Sequence, residues 1–402
     1  MLPFRRGYSE PKYIIMKVYL DNKLPIKLWA DKIDEKALEQ ARNLANLSFA
    51  FKHIALMPDV HCGLGMPIGG VLATKGVVVP NAVGVDIGCG MCAIKTSLRV
   101  EDISRKQIVR VVELVKSVIP LGFDHHKELQ DEFLLPQNYD IDKLPNIKHL
   151  IVAARKQIGT LGGGNHFIEI QKSTDGYIWV MIHSGSRNIG KKIADRYGKI
   201  AKMLNERWYS NTMSGLEFLP IESPEAQAYW QEMKWCVDFA LCNRKLLMQR
   251  VCEALEEVFP SVEFNEMINI AHNYAAWEEH FGQNVIVHRK GATRAQLGEI
   301  GIIPGSQGTK SYIVRGLGNV ESFMSCSHGA GRVLGRREAC EVLDLQKEIS
   351  KMNALGIIHG IHEQNDLDEA PSAYKDIDTV MANQQDLVKP IVKLSPIAVI
   401  KG

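Results

Sequence analysis

The chain's chemistry-bearing side chains are a histidine, a thiol and several further imidazoles, each set among glycines. Ser325-Cys326-Ser327-His328-Gly329-Ala330-Gly331-Arg332 holds one imidazole between a small hydroxyl residue and two glycines. A histidine on such bare backbone is placed to be reached, and we expect the glycines to give clearance to whatever reaches it. Asp86-x-x-Cys89 puts a carboxylate and a thiol in one short turn. The thiolate suits soft or borderline divalent ions and the carboxylate harder ones such as manganese. Cys89 and Cys92 also form a lone CxxC with no second pair, a weak zinc signal.

Further imidazoles come from the stretch between Gly162 and Gly190. Gly162-Gly163-Gly164-Asn165-His166 leads into Phe167-Ile168-Glu169-Ile170, and after Ser173-Thr174-Asp175-Gly176 the chain returns through Tyr177 to His183. This predicts a β-hairpin. A turn centred between Thr174 and Asp175 pairs His166 with His183 across the strands, their Cβ atoms roughly 5 Å apart. A two-residue Asp-Gly turn would move that register. Two imidazoles so placed can share one ion or hold two neighbouring ones. His183 runs on into Ser184-Gly185-Ser186-Arg187-Asn188-Ile189-Gly190, a small-residue turn opening a helix beside an arginine, which suits a phosphate.

Ala271-His272-Asn273-Tyr274 offers another imidazole. His280, about two helical turns later, would share its face in a helix, and we expect it to be structural. Asp86, Cys89, His166, His183 and His272 suffice for two ions if Cys89 bridges, and paired metals are a common device of phosphoryl and nucleotidyl transfer. With metals to carry phosphates, a neutral nitrogen of His328 can attack a nucleotide α-phosphate. The other ring nitrogen needs a carboxylate to hold it as an N–H donor. Asp59, near the end of the apolar strand predicted over His53–His61, is the candidate.

The elements that must position these residues are legible in part. Helical spacing runs from Ala30 to Leu47 with Asp34 as a cap, and from Glu101 to Val118. Ser223-Pro224 opens a long helix to about Phe259, closed by Pro260, with Cys236, Cys242 and Cys252 as core filler. Residues 1–25 suggest an edge strand or N-terminal extension. The region 121–151 is polar, and His125, His126 and His149 read there as surface histidines. No repeat or low-complexity linker appears, so one domain over 1–402 is expected. Hydrophobic residues make up 46% and charged residues 23%, a composition that can bury a sizeable core. A net charge of +2 leaves any polyanion site to local patches, near Arg187, Arg289, Lys290, Arg315 and Arg332. No apolar run reaches membrane-spanning length, no secretory leader is recognisable, and eight cysteines lack a framework, so we expect reduced thiols and a cytoplasmic protein.

These motifs resemble those of the RtcB-type RNA ligases. The resemblance is carried by MPDVHCGLGMPIGG (57–70), VGVDIGCGM (83–91), LGGGNHFIEI (161–170), HSGSRNIG (183–190), HNYAAWEEHFG (272–282) and RKGATRA (289–295). It continues through GIIPGSQGTKSYIVRGLGN (301–319), SCSHGAGR (325–332), AYKDID (373–378) and the terminal KG. It implies a single compact α/β (mixed α+β) catalytic domain. The implied activity is a GTP-dependent ligase with two Mn2+ ions that joins RNA 3′-phosphate, or 2′,3′-cyclic phosphate, ends to 5′-hydroxyl ends. His328 would be guanylylated and Asp59 would orient it. Asp86, Cys89 and His166 would hold one manganese, and Cys89, His183 and His272 the other. Asn165 and Arg187 would meet phosphates, while Phe167, Glu169, Ser306, Tyr374 and Lys401 would surround guanine.

In one place the chain departs from the pattern. Several bacterial members carry a lysine in the loop where this sequence has Cys62-Gly63-Leu64-Gly65, which bears on how RNA is held and on whether the role is tRNA splicing or repair. A dinuclear phosphohydrolase would use the same metal ligands without needing His328, Glu169 or Lys401. A non-catalytic RNA- or zinc-binding protein would leave the hairpin histidines idle. We expect a monomer, with RNA and GTP as its partners.

Overall fold

The computed structural model describes residues 16–402. Most of the expected N-terminal extension, residues 1–15, lies outside the described residues. Two sheets carry the molecule. The first runs, edge to edge, through Lys17–Tyr19, Ile26–Leu28, Ala50–His61, Ile68–Thr74, Gln283–Lys290 and Asn273–His280. Its strands pair antiparallel except where Ile26–Leu28 lies parallel to Ala50–His61. The second runs through Ile268–Ala271, Gly90–Arg99, Tyr177–Ser184, Phe167–Ser173, Val388–Ile400, Ser311–Gly316 and Ile300–Ile303. With helices packed against these sheets, the class is the mixed α/β one expected. No helix among the described residues is long and apolar enough to cross a membrane.

Helix ends follow the capping residues closely. Helix Glu35–Ala45 starts where the Asp34 carboxylate accepts from the Ala37 amide at 2.8 Å. Helix Arg105–Val118 opens with a reciprocal cap between Ser104 and Gln107. Helix Pro224–Val258 has Ser223 as its cap and proline in its first turn, where the missing N–H costs nothing.

That long helix is the spine of the site. Met233, Cys236, Phe239 and Leu247 are fully buried along it, and so are Asn243 and Arg244. A buried guanidinium must spend its donors inside the protein. Arg244 donates from Nη1 to the carbonyls of Gly88 and Ser184, both at 2.9 Å, and from Nε to Asn269 Oδ1 at 2.8 Å. Asn243 accepts from the Gly159 amide at 2.7 Å and donates to Ser184 Oγ at 3.1 Å. One helix turn thereby ties together the backbone beside Cys89, beside His183 and ahead of His166.

Candidate active site

The predicted residues converge on the seam between the two sheets. Strand Ile268–Ala271 belongs to the second sheet and Asn273–His280 to the first, and His272 is the single residue between them. Its amide donates to the Cys89 carbonyl at 2.9 Å. The expected helical face for His272 and His280 is therefore replaced by a strand, and His280 bonds Glu278 at 2.9 Å instead. Asp86 to Cys89 is a tight turn in which the Cys89 amide donates to the Asp86 carbonyl at 3.1 Å. Gly88 sits there at φ 81°, and a Cβ on it would meet Val237 Cα at 2.8 Å. The turn thus needs glycine both for its conformation and for its approach to the long helix. Cys92 points elsewhere, its Sγ facing the Arg244 carbonyl at 3.7 Å, so the CxxC is not a ligand pair.

The hairpin forms, but one step out of the expected register. Phe167 pairs with His183 and Lys172 with Ile178, because Thr174-Asp175-Gly176 makes a three-residue loop. His166 stands just before the strand, yet its ring still lies 5.3 Å from that of His183, centroid to centroid. His183 is 5.2 Å from His272 and His272 4.8 Å from His328, so four imidazoles run in a row.

The donor atoms suit cations. His183 Nδ1 faces the Asn165 carbonyl at 2.9 Å and His166 Nδ1 the Leu161 carbonyl at 3.0 Å. A carbonyl can only accept, so each Nδ1 carries the proton and each Nε2 presents a lone pair inward. His166 Nε2 then lies 3.4 Å from Asp86 Oδ2 and 3.6 Å from Cys89 Sγ, while His183 Nε2 lies 3.3 Å from the same sulfur. These gaps, Nε2 to carboxylate and Nε2 to sulfur, can each be closed by a proton in the apoprotein or by a cation bound between the groups. Asp86, Cys89 and His166 form one group of ligand atoms within 4.8 Å of each other, and Cys89, His183 and His272 another. Burial pushes the Cys89 thiol well up, with Asp86 adding to the effect, and pushes His183 and His272 well below the usual histidine range. Burial opposes ionisation of Asp86, but contacts with His166, Arg187 and Ser186 outweigh it and hold the carboxyl low. Neutral imidazoles and a carboxylate are what a divalent ion needs, and its charge would ionise the thiol. His272 Nδ1 is buried without a hydrogen-bond partner among the described residues.

His328 follows the short strand Ser325–Ser327, which pairs with Ala292–Arg294. Asp59, fully buried on strand Ala50–His61, meets it from the other side. One carboxylate oxygen, Oδ2, accepts from the His328 ring Nδ1 at 2.6 Å, from the His328 amide at 3.0 Å and from the Gly329 amide at 3.3 Å. Holding the proton on Nδ1 leaves Nε2 as the free, nucleophilic nitrogen. The glycines serve this contact more than they clear space for a ligand. A Cβ on Gly331, at φ 75°, would lie 2.3 Å from the Asp59 carbonyl oxygen, and one on Gly291 would press on the His328 ring at 3.0 Å.

His328 sits where two cavities meet. The first, of about 520 Å³, is lined by Asn165, Phe167, Ser306, His328, Tyr374 and Lys401 among others. The second, of about 610 Å³, is lined by Asp86, Cys89, Asn165, His166, Arg187, His272 and His328, again among others. Glu169 lies on neither wall. It is buried two residues beyond Phe167 on the same strand face, accepting from Gln171 Nε2 at 2.5 Å. Lys401 Nζ donates to the Gly164 carbonyl at 2.7 Å. Arg187 and Asn188 take left-handed φ values of 51° and 68° ahead of helix Ile189–Arg207. Strain of this kind gathers at functional sites, and here it sets Arg187 Nε on Thr160 Oγ1 at 3.1 Å, beside the metal ligands.

Several contributors escaped the sequence reading. Glu369, buried in the first cavity's wall, accepts from Arg332 Nη1 and Arg336 Nε, each at 2.7 Å, and from the Tyr374 hydroxyl. Arg332 closes the SCSHGAGR motif on a bridge to Tyr374, and Arg336 opens the helix Arg336–Val342 that follows. Nothing in the sequence around Glu369 marks it. His125 is exposed, as expected, and that exposed position also lines the second cavity. At the Leu64 departure, Lys290 reaches in from strand Gln283–Lys290, its Nζ on the Leu64 carbonyl at 2.5 Å. A lysine thus serves that loop from a different strand.

Two predictions arise from these buried groups. Arg244→Met removes the tie on the Gly88 and Ser184 carbonyls without touching a ligand. It is expected to weaken divalent-metal binding about ten- to a hundredfold, measured by titration calorimetry with Mn2+. Burial also pushes the Glu169 carboxyl up to about 8, against the opposing influence of Gln171 and Lys401. A carboxyl with a raised folded pKa favours folding most below its unfolded value, and that contribution fades as pH rises toward about 8. With metal chelated, melting temperature should fall over this range in the parent protein, and Glu169→Gln should flatten the fall.

Comparison with known proteins gives the chain's family. A family model described as tRNA-splicing ligase RtcB matches residues 40–141 and 137–402. The chain is 39% identical to the RNA-splicing ligase RtcB of Escherichia coli K12, over 94% of this chain and 97% of that protein. It is 31% identical to the tRNA-splicing ligase RtcB of Thermococcus kodakarensis, over 96% and 94%, and 33% identical to that of Nanoarchaeum equitans, over 94% and 95%.

Proposed function

The chain belongs to the RtcB family of tRNA-splicing ligases, and from that premise we propose a GTP- and Mn2+-dependent ligase that joins RNA 3′-phosphate to 5′-hydroxyl ends. The observation that carries the proposal is the Asp59–His328 pair, set between a nucleotide-sized cavity and the clustered metal ligands. When bound, Mn2+ supplies positive charge to phosphate oxygens and to the leaving pyrophosphate. Asp86, Cys89 and His166 would hold one ion, and Cys89, His183 and His272 the other.

The chain's own residues supply the rest. Phe167, Ser306, Tyr374 and Lys401 surround guanine, and Glu169, buried two residues beyond Phe167 on the same strand face, backs that wall. Glu369 fixes Tyr374 and the Arg332 and Arg336 guanidinium groups in the same wall. Asn165 and Arg187 meet phosphates. His328 Nε2 attacks the α-phosphorus of GTP, a nitrogen–phosphorus bond forms and pyrophosphate leaves. Asp59 stabilises the positive charge that the ring acquires. An oxygen of the RNA 3′-phosphate then takes the GMP from Nε2, giving a 3′-guanylylated end. The 5′-hydroxyl attacks the RNA phosphorus of that end, a phosphodiester forms and GMP leaves. A 2′,3′-cyclic phosphate is first opened by water to the 3′-phosphate.

The test is a joining assay with one RNA bearing a 3′-phosphate and another a 5′-hydroxyl, in the presence of GTP and Mn2+. Joined RNA with release of one GMP per junction is expected. Nucleotide hydrolysis without joined RNA would instead support a dinuclear phosphohydrolase.

A further inference from the structure

Resting on the ligase reading above, the second cavity must admit an RNA end while the first holds the guanosine. Its walls carry Arg187, Lys191, Lys290 and Arg336; Lys290 is spent on the Leu64 carbonyl and Arg336 on Glu369, which leaves Arg187 and the exposed Lys191, paired only with Asp195 at the surface, to meet a phosphate. At its rim stand Phe123 and His125, both exposed, and Phe123 is 96% exposed.

A phenylalanine left in water gains nothing for folding, and the backbone around this one is pinned on both sides. The Asp124 amide donates to the Leu121 carbonyl at 2.9 Å and the His126 amide to the Lys156 carbonyl at 3.0 Å. Leu161 donates to the Pro120 carbonyl at 3.0 Å, and Arg250 Nη1 meets His126 Nε2 at 3.0 Å. Gly122 packs so closely on the terminal residue that a Cβ on Gly402 would lie 1.9 Å from its amide nitrogen. The turn therefore presents the Phe123 ring outward on a fixed base at the edge of the cavity, with His125 two residues on along the same edge. A ligand with an exposed π-face and negative charges a few bonds away matches that arrangement. A nucleobase of single-stranded RNA has both.

We propose that Phe123 and His125 form a stacking platform for a base of the RNA end that enters the second cavity. The platform holds the end by its π-face, independent of base identity, while the cations hold its phosphates.

The test is fluorescence anisotropy with a short labelled single-stranded RNA, in Mn2+ without GTP, on the full chain. Phe123→Ala should weaken binding about tenfold, and Phe123→Trp should restore it. Labelling of the protein by GTP alone should be unchanged in both variants, since Phe123 does not line the first cavity. RNAs with an abasic residue at the 3′-phosphate end or at the 5′-hydroxyl end tell which end is held. The abasic site should weaken the parent protein to the level of Phe123→Ala in one arm and leave the variant unaffected. Equal affinity of parent and Phe123→Ala would overturn the platform and leave the ligase reading intact. Equal weakening of both proteins by the abasic residue in both arms would also overturn it, because the terminal bases would then be held without Phe123. If the parent binds no RNA and forms no joined product, the ligase reading fails and the platform with it.

Discussion

Asp59→Asn is expected to slow attachment of GMP to the protein by about three to four orders of magnitude while the chain still folds. The reason lies in how one oxygen is used. Oδ2 accepts from the ring Nδ1 and from the amides of His328 and Gly329, while Oδ1 has no partner among the described residues. An asparagine that turns its oxygen to these donors keeps the geometry but loses the charge that stabilises the ring during attack. One that turns its amide nitrogen inward makes Nδ1 the acceptor, moves the proton to Nε2 and removes the nucleophile. Single-turnover labelling with α-labelled GTP measures the rate, and circular dichroism confirms the fold. A rate within tenfold of the parent would show that Asp59 does not set the tautomer.

Cys89→Ala is expected to abolish metal binding at both ligand groups, since its sulfur is the one donor they share. His272→Ala, by contrast, should remove one group and spare the other. The thiol is buried, and burial keeps it protonated without metal, so its loss takes away little that holds the apoprotein together. The apoprotein should therefore melt as before, but Mn2+ should no longer raise its melting temperature. In the parent, saturation at a hundred times the dissociation constant adds about 2.7 kcal/mol. Metal content after equilibrium dialysis gives the direct count. Retention of one ion by Cys89→Ala would show that the two groups do not depend on a common sulfur.

The sequence was informative wherever the physics is local. Asp34 and Ser223 announced two helices because a capping side chain acts on amides within its own turn, whereas the helix expected from Glu101 was legible by period alone and begins at Arg105, after the unread cap Ser104. The hairpin was legible as a hairpin, but its register depended on one loop residue more than the simplest turn has, and that moved His166 out of the strand. His166 and His183 still meet, because the glycines before His166, two of them at positive φ, let the chain bend back toward the cluster of ligand atoms. The long helix was legible from its Ser223 cap, and within it only Cys236, Cys242 and Cys252 were singled out, as core filler. Its two polar contributors, Asn243 and Arg244, look in sequence like a solvated face, yet both are buried and brace the ligand turns. Glu369 and His125 were equally silent, since their importance comes from segments far apart in the chain. The family motifs marked side chains that the fold gathers around His328, whereas the braces behind them became visible only with the fold.

The most direct measurement of the central claim is to incubate the protein with α-labelled GTP and Mn2+, digest it, and locate the label by mass spectrometry. A GMP adduct on the peptide carrying His328, labile to acid, stable to alkali and absent from His328→Ala, is the predicted result. No adduct, or an adduct that persists in His328→Ala, would contradict the account.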